Sequence, residues 1–264
     1  MRLRHFFAPP DDPGAPPPPW WVRAGNLALV GVGVGLVLAF AFKHVHYRWN
    51  WAAIWPYREK LIRGWWTTIG LSLAALLLSV TLGLAAALAR RSGWLMLRYT
   101  SRIYLEVVRG TPLLVQILIF FYVVANAFGL ANRYVAGVLI LAVFSGAYLA
   151  EIIRAGIESV GRSQLESARA IGLTRAQTYR YVVFPQALRQ CLPPLAGQFA
   201  SLVKDSSLLY TIGISEFTAN AQDVNAYTFS TLESYLPLAL GYLALTLPIS
   251  LWTRRLEEQH RYET

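Results

Sequence analysis

Residues 162–185 read RSQLESARAIGLTRAQTYRYVVFP, a polar, arginine-rich insert between two strongly apolar runs. Ser163 followed three residues later by Glu166 is a capping-box signature, in which a hydroxyl and a carboxylate satisfy the first orphan amides of a helix. Gly172 takes the left-handed conformation that ends a helix at low steric cost, and Thr174 with Gln177 forms a second box behind it. Pro185 supplies no amide hydrogen and disfavours helical geometry at the residue before it, so the second helix is expected to end near Phe184. The insert reads as helix, sharp turn, helix.

The surroundings decide what kind of protein carries this insert. A chain of 264 residues with 55% hydrophobic and only 14% charged residues is too apolar for an ordinary soluble domain. A bilayer core about 30 Å thick needs roughly 20 apolar residues per helix. Six such windows are predicted, at 24–42, 65–89, 112–130, 134–152, 191–213 and 234–252. The fifth holds Pro193, Pro194, Lys204 and Asp205 and reads as a broken helix. A helical bundle follows, because backbone in lipid must satisfy its own hydrogen bonds.

Arginines set the orientation. Arg90, Arg91, Arg98, Arg102 and Arg109 lie between the second and third windows, six arginines from Arg154 to Arg189 between the fourth and fifth, and Arg254 and Arg255 after the last. These segments, the insert included, are expected in the cytoplasm. Residues 214–233, with Glu216, Asp223 and Glu233 and no Lys or Arg, suit the opposite face. Residues 43–63 are basic on that opposite side, but Trp49, Trp51 and Trp55 mark them as a connector lying along the interface. Residues 1–23, rich in proline, read as a disordered or extended tail rather than a signal peptide.

Several chemistries are excluded. None of the three lysines, Lys43, Lys60 and Lys204, follows a glycine, so there is no GxxxxGK[ST] phosphate loop. A single cysteine, Cys191, makes neither an internal disulfide nor a thiolate cluster, and His44 with His46 lacks a third ligand nearby. The net charge of +10 invites a nucleic-acid reading. Tethering of the insert at both ends to membrane windows argues against entry into a major groove, and cytoplasmic loop bias accounts for the charge.

Glu166-Ser167-Ala168, then Gly172, then Phe184-Pro185, resembles the EAA loop of permease subunits of ABC importers, with Ser167 and Phe184 departing from the usual alanine and leucine. Arg109-Gly110-Thr111-Pro112-Leu113-Leu114-Val115-Gln116, Gly146-Ala147-Tyr148 through Glu151, Arg154 and Gly156, Pro185-Gln186-Ala187-Leu188-Arg189, and Lys204-Asp205-Ser206-Ser207-Leu208 resemble further signatures of the polar amino acid (histidine, glutamine, glutamate-type) permeases. The resemblance covers about residues 64–258.

This resemblance implies an all-α polytopic membrane protein: a five-span permease core at 64–258, one extra N-terminal transmembrane helix at 24–42, and a cytoplasmic helix-turn-helix coupling loop at about 154–190. The connector at 43–63 and a short tail at 259–264 complete the chain. It implies a subunit of an ATP-driven importer of polar or charged amino acids in the bacterial inner membrane. The chain itself would bind no cofactor, ATP and Mg sitting on a partner ATPase. Its partners would be a cytoplasmic ATP-binding subunit dimer, an extracytoplasmic amino-acid-binding protein, a second permease subunit in a homo- or heterodimer, and membrane lipid, with no nucleic acid. An ion-coupled transporter or channel with a regulatory docking loop is the alternative.

The resemblance assigns coupling to the ATPase to Gln164, Glu166, Ser167, Ala168, Gly172 and Pro185. For Glu166, capping of its own helix and bonding to the ATPase stand side by side. Arg109, Gln116, Glu151, Arg154, Lys204, Asp205 and Ser206 are pathway or gating candidates. Lys204 and Asp205 carry charge inside an apolar window, where it is costly, and each needs another partner, whether Glu151, a loop residue or a water-filled path. Glu151 and Arg154 have the spacing of a same-face ion pair. Thr111 reads as a cap and Pro112 as a first-turn residue.

Overall fold

The computed structural model describes residues 19–44 and 47–260. The proline-rich stretch up to residue 18, His46 and residues 261–264 lie outside these. Two units are distinct. The first carries one helix, α1 (Trp20–His44), long and apolar enough to cross a membrane. The second, from Asn50 onward, contains the remaining helices and takes in the end of the expected interfacial connector.

In that second unit a short helix α2 (Trp51–Ile54) and a 3-10 turn (Trp55–Tyr57) lead into α3 (Arg58–Arg91). At 1.5 Å per residue its 34 residues span about 51 Å, well beyond one bilayer core. Then follow α4 (Leu95–Gly110), α5 (Leu113–Ile119) with a π turn (Phe120–Ala125), and α6 (Arg133–Glu158). The insert forms α7 (Arg162–Ala170) and α8 (Arg175–Thr178), and a π turn (Tyr179–Val183) joins α8 to α9 (Phe184–Asp205). A 3-10 turn (Ser206–Ile212), α10 (Phe217–Thr228) and α11 (Thr231–His260) complete the unit.

The packing of α3 on α6 organises the core, and the sequence of α3 explains it. Gly64, Thr68, Ser72, Ala75, Ser79, Gly83 and Ala86 recur every three or four residues, all buried, so one face of the helix is a stripe of small residues. Small side chains let membrane helices approach closely, where dispersion contacts replace the missing hydrophobic drive. A Cβ on Gly83 would lie 2.7 Å from the Leu149 Cβ and 3.0 Å from the Gly146 carbonyl oxygen of α6. A Cβ on Gly70, on the same helix, would meet nothing within 4 Å. Gly83→Val is therefore expected to pry the helices apart at a cost of about 1–3 kcal/mol, seen as a lower thermal midpoint in detergent. Gly70→Val should leave that midpoint unchanged; equal effects would mean that this contact does not hold the pair.

Three expectations need correction. The third window is preceded by α4, which meets the α5 segment at a bend of 112° around Thr111 and Pro112. Thr111 closes the end of α4 by donating to the Val107 carbonyl at 2.8 Å, and Pro112 is the N-cap of α5 rather than a first-turn residue. Pro193 and Pro194 sit within α9 without breaking it; the change from α to 3-10 geometry comes at Asp205–Ser206 instead. Pro185 does not end the second helix of the insert either. The π turn before it hands the chain on through a Phe184 amide bonded to the Tyr179 carbonyl, so the missing proline amide falls in a fresh first turn.

Candidate functional site

At one end of the second unit, α7 and α8 form the helix-turn-helix. The Gly172 amide bonds to the Arg169 carbonyl at 2.9 Å and the Leu173 amide to the Ala168 carbonyl at 3.0 Å, the paired bonds of a Schellman motif. Gly172 has φ +79°, the left-handed geometry this motif requires. The Thr174–Gln177 capping box is present at the start of α8. The Ser163–Glu166 box is not: Gly161 occupies the N-cap, α7 begins at Arg162, and no side chain caps it.

That shift leaves Glu166 solvent-exposed, with no intramolecular side-chain partner among the described residues. Ser167 is exposed beside it and Ala168 turns inward, 3% exposed. Ile171, at the tip of the turn, is an apolar side chain 76% exposed. Two straps tie the loop to the bundle. The Gln164 side-chain oxygen accepts from Gln186, next to Pro185 at the start of α9, and the Tyr179 hydroxyl accepts from Arg91 at the end of α3, at 2.7 Å. The first bond joins α7 to α9, and the second joins the π turn after α8 to α3.

Just behind the loop, Glu151 is the hub of a charge cluster. Its carboxylate takes Arg154 from its own helix, Arg90 from α3 at 3.3 Å and Arg109 from the end of α4 at 3.7 Å. Arg154 also pairs with Glu158, and the Arg109 guanidinium lies 5.6 Å from the Tyr148 ring centroid. The expected same-face pair of Glu151 and Arg154 is thus one arm of a device that pins three helices together.

The other candidates are spread more widely. Gln116 donates to the Val108 carbonyl at 2.7 Å and to the Thr111 carbonyl at 3.0 Å, holding the 112° bend. Lys204 is exposed, and neither it nor Asp205 has an ion-pair partner among the described residues. Of the partners considered for them, Glu151 is engaged by Arg90, Arg109 and Arg154 instead. Ser206 is fully buried and donates to the Val203 carbonyl at 2.8 Å.

The opposite end is held by polar contacts of a different kind. Glu216 caps α10, accepting from the amides of Thr218 at 2.9 Å and Ala219 at 2.7 Å, while the Tyr242 and Thr68 hydroxyls close on the same carboxylate. Burial pushes the Glu216 carboxyl above the usual carboxylate range, and these four donors oppose that shift. Lys60 pairs with Asp223 at 2.6 Å, and Arg133 donates to the Gly213 carbonyl at 2.9 Å. The segments expected on the two faces of the membrane thus occupy opposite ends of the bundle.

Sequence reasoning missed Arg90, Tyr148, Arg91, Tyr179 and Gln186 as members of this site. Arg90 and Arg91 counted only toward orientation, and no local spacing connects residues 61 and 88 positions apart. Ile171 had a usable signal, an isolated large apolar residue directly before the turn glycine of a polar insert.

Residues 79–262 match the family described as binding-protein-dependent transport system inner membrane component. The chain is 37% identical over 210 residues to the glutamine transport system permease protein GlnP of Escherichia coli (strain K12), covering 79% of this chain and 96% of that one. It is 35% identical over 196 residues to the probable glutamine ABC transporter permease protein GlnM of Bacillus subtilis (strain 168), covering 74% and 91%. Its fold is similar to that in the crystal structure of an amino acid ABC transporter with histidines, with a TM-score of 0.75, 35% identity, and coverage of 81% of this chain and 100% of the other.

Proposed function

This chain belongs to the binding-protein-dependent transport system inner membrane components, and from that premise we propose that it is the permease subunit of an ATP-driven importer of polar or charged amino acids. The observation that carries the coupling mechanism is the loop itself: an exposed, rigidly turned helix pair strapped by Arg91–Tyr179 and Gln164–Gln186 to two membrane helices. Such an element suits mechanical transmission from a separate ATPase, where ATP and Mg reside; this chain has no catalytic role.

In this reading α7 lies in a groove of the ATPase, with Glu166, Ser167 and Ile171 at the contact, and Gly172 fixes its angle to α8. Glu166 is free for that bond because it does not cap α7. The Glu151 cluster holds the cytoplasmic ends of α3, α4 and α6 as one body as the loop moves. Lys204 and Asp205, at the junction of α9 and its 3-10 turn, face the pathway or its gate. A five-span core at 64–258 needs a second permease subunit, either another copy or a related chain, to enclose a pathway. The end bearing α10 receives the amino-acid-loaded binding protein outside the bacterial inner membrane.

Reconstitution tests the whole assignment. Vesicles holding this chain with its ATPase subunit should accumulate amino acid only when ATP is inside the ATPase compartment and loaded binding protein is on the other. Uptake that proceeds without ATP, driven by an ion gradient, would overturn it.

A further inference from the structure

Between α3, α6 and α9 runs an open cavity of about 780 Å³, which borders the coupling loop at the Arg91–Tyr179 strap. Each helix gives it an apolar ridge at helical spacing: Leu84 and Leu88, Ile153 and Ile157, Leu188 and Leu195. The cavity extends along α3 from Val80 to Leu88, eight residues or about 12 Å, close to the depth of one leaflet's acyl region. Its lining is largely apolar except at one mouth, which Arg90, Arg91, Arg98 and the Tyr179 hydroxyl line.

Those arginines differ in how far they are already neutralised. Arg90 is engaged by Glu151. Arg91 donates to the Tyr179 hydroxyl and Arg98 to the Ser92 carbonyl, both neutral acceptors, and neither has a carboxylate partner among the described residues. Two unneutralised guanidiniums stand at the expected cytoplasmic end of a leaflet-deep apolar groove. Guanidinium is the group best matched to a phosphate's oxygens. An anionic headgroup and an acyl chain satisfy both parts together, whereas a helix from a second copy would fill the groove and leave the charges unmet.

We infer that this groove is a binding site for an anionic phospholipid of the cytoplasmic leaflet, its phosphate on Arg91 and Arg98 and one acyl chain between α3, α6 and α9. The site rests on the membrane orientation and not on the identity of the transported solute. Because Arg91 also holds Tyr179 of the coupling loop, a bound lipid would touch the strap between loop and bundle.

The test uses the assembled complex with its ATPase subunit in bilayers containing phosphatidylglycerol or phosphatidylcholine with a photoactivatable group on the acyl chain. Phosphatidylglycerol should label the segments around Leu84 and Leu188 several-fold more than phosphatidylcholine. Each of Arg91→Gln and Arg98→Gln should reduce that preference by about five-fold, the effect of one arginine near an anionic headgroup. Arg91→Lys should largely keep it. Leu188→Trp, at a position 45% exposed and outside the packed core, should block labelling by both lipids without touching a charge. Equal labelling by the two lipids, or labelling indifferent to these changes, overturns the inference. So does cross-linking between two permease copies through position 188.

Discussion

Gly172→Val is expected to lower ATP-driven uptake by about ten-fold while the protein still inserts and binds its partners. The cause is confined to the backbone. At φ +79° an L residue with a Cβ pays about 1–2 kcal/mol, and a β-branched one more, whereas a Cβ at 172 would meet no neighbouring atom within 4 Å. A penalty of that size reduces the population of the correct turn roughly 5- to 30-fold. Gly172→Asn, which tolerates the left-handed region, should retain most uptake, and Gly172→Ala should fall between. Parallel measurement of uptake and ATP hydrolysis in proteoliposomes checks the series; full uptake by the valine variant at normal expression would remove the turn from the mechanism.

The second large effect is expected at Glu151. Glu151→Gln leaves Arg90, Arg109 and Arg154 gathered around a neutral group. Hydrogen bonds to charged groups contribute about 1.5–3 kcal/mol each when well shielded. Here the carboxylate is 23% exposed and Arg90 and Arg109 more so, and solvent screening reduces their share. A loss of about 2–3 kcal/mol in total is expected, read as a lower thermal midpoint and a several-fold drop in uptake. An isolated pair and a hub are separable by a second variant. If only Arg154 mattered, Arg154→Gln would equal Glu151→Gln; in the hub, Arg154→Gln is milder, and adding it to Glu151→Gln restores part of the loss by removing one of the crowded cations. Equal single effects with no rescue would reduce the cluster to one ion pair.

The membrane-helix bundle and the loop were legible in the sequence because their causes are local. Gly172, Thr174 and Gln177 act within one turn of themselves, and the structure has the left-handed glycine and the capping box where those residues predict them. The Ser163–Glu166 box failed because Gly161, two residues earlier, already has the extended ψ of an N-cap, a choice that spacing alone does not exclude. Pro185 misled for a related reason. A proline ends a helix only if the preceding turn stays α, and the π turn at Tyr179–Val183 supplies the slack.

The charge cluster was only half legible. Glu151 and Arg154 announce themselves at a spacing of three, but Arg90 and Arg109 join them only once α3 and α4 are packed against α6. The stripe from Gly64 to Ala86 that governs that packing was visible as small residues at helical spacing, yet the same composition also reads as an ordinary membrane span. Lys204 and Asp205 stood out as charges in an apolar window, and the structure leaves both without ionic partners among the described residues.

The central claim, that α7 docks on the ATPase, is tested most directly by the reactivity of its exposed face. With the buried Cys191 replaced by alanine, a Ser167→Cys variant offers one thiol at the proposed contact. A membrane-impermeant maleimide should label it readily in the permease alone and at least about ten-fold more slowly in the assembled complex, as burial at a docked interface excludes the reagent. The same labelling rate with and without the ATPase, in a complex that hydrolyses ATP, would contradict the account.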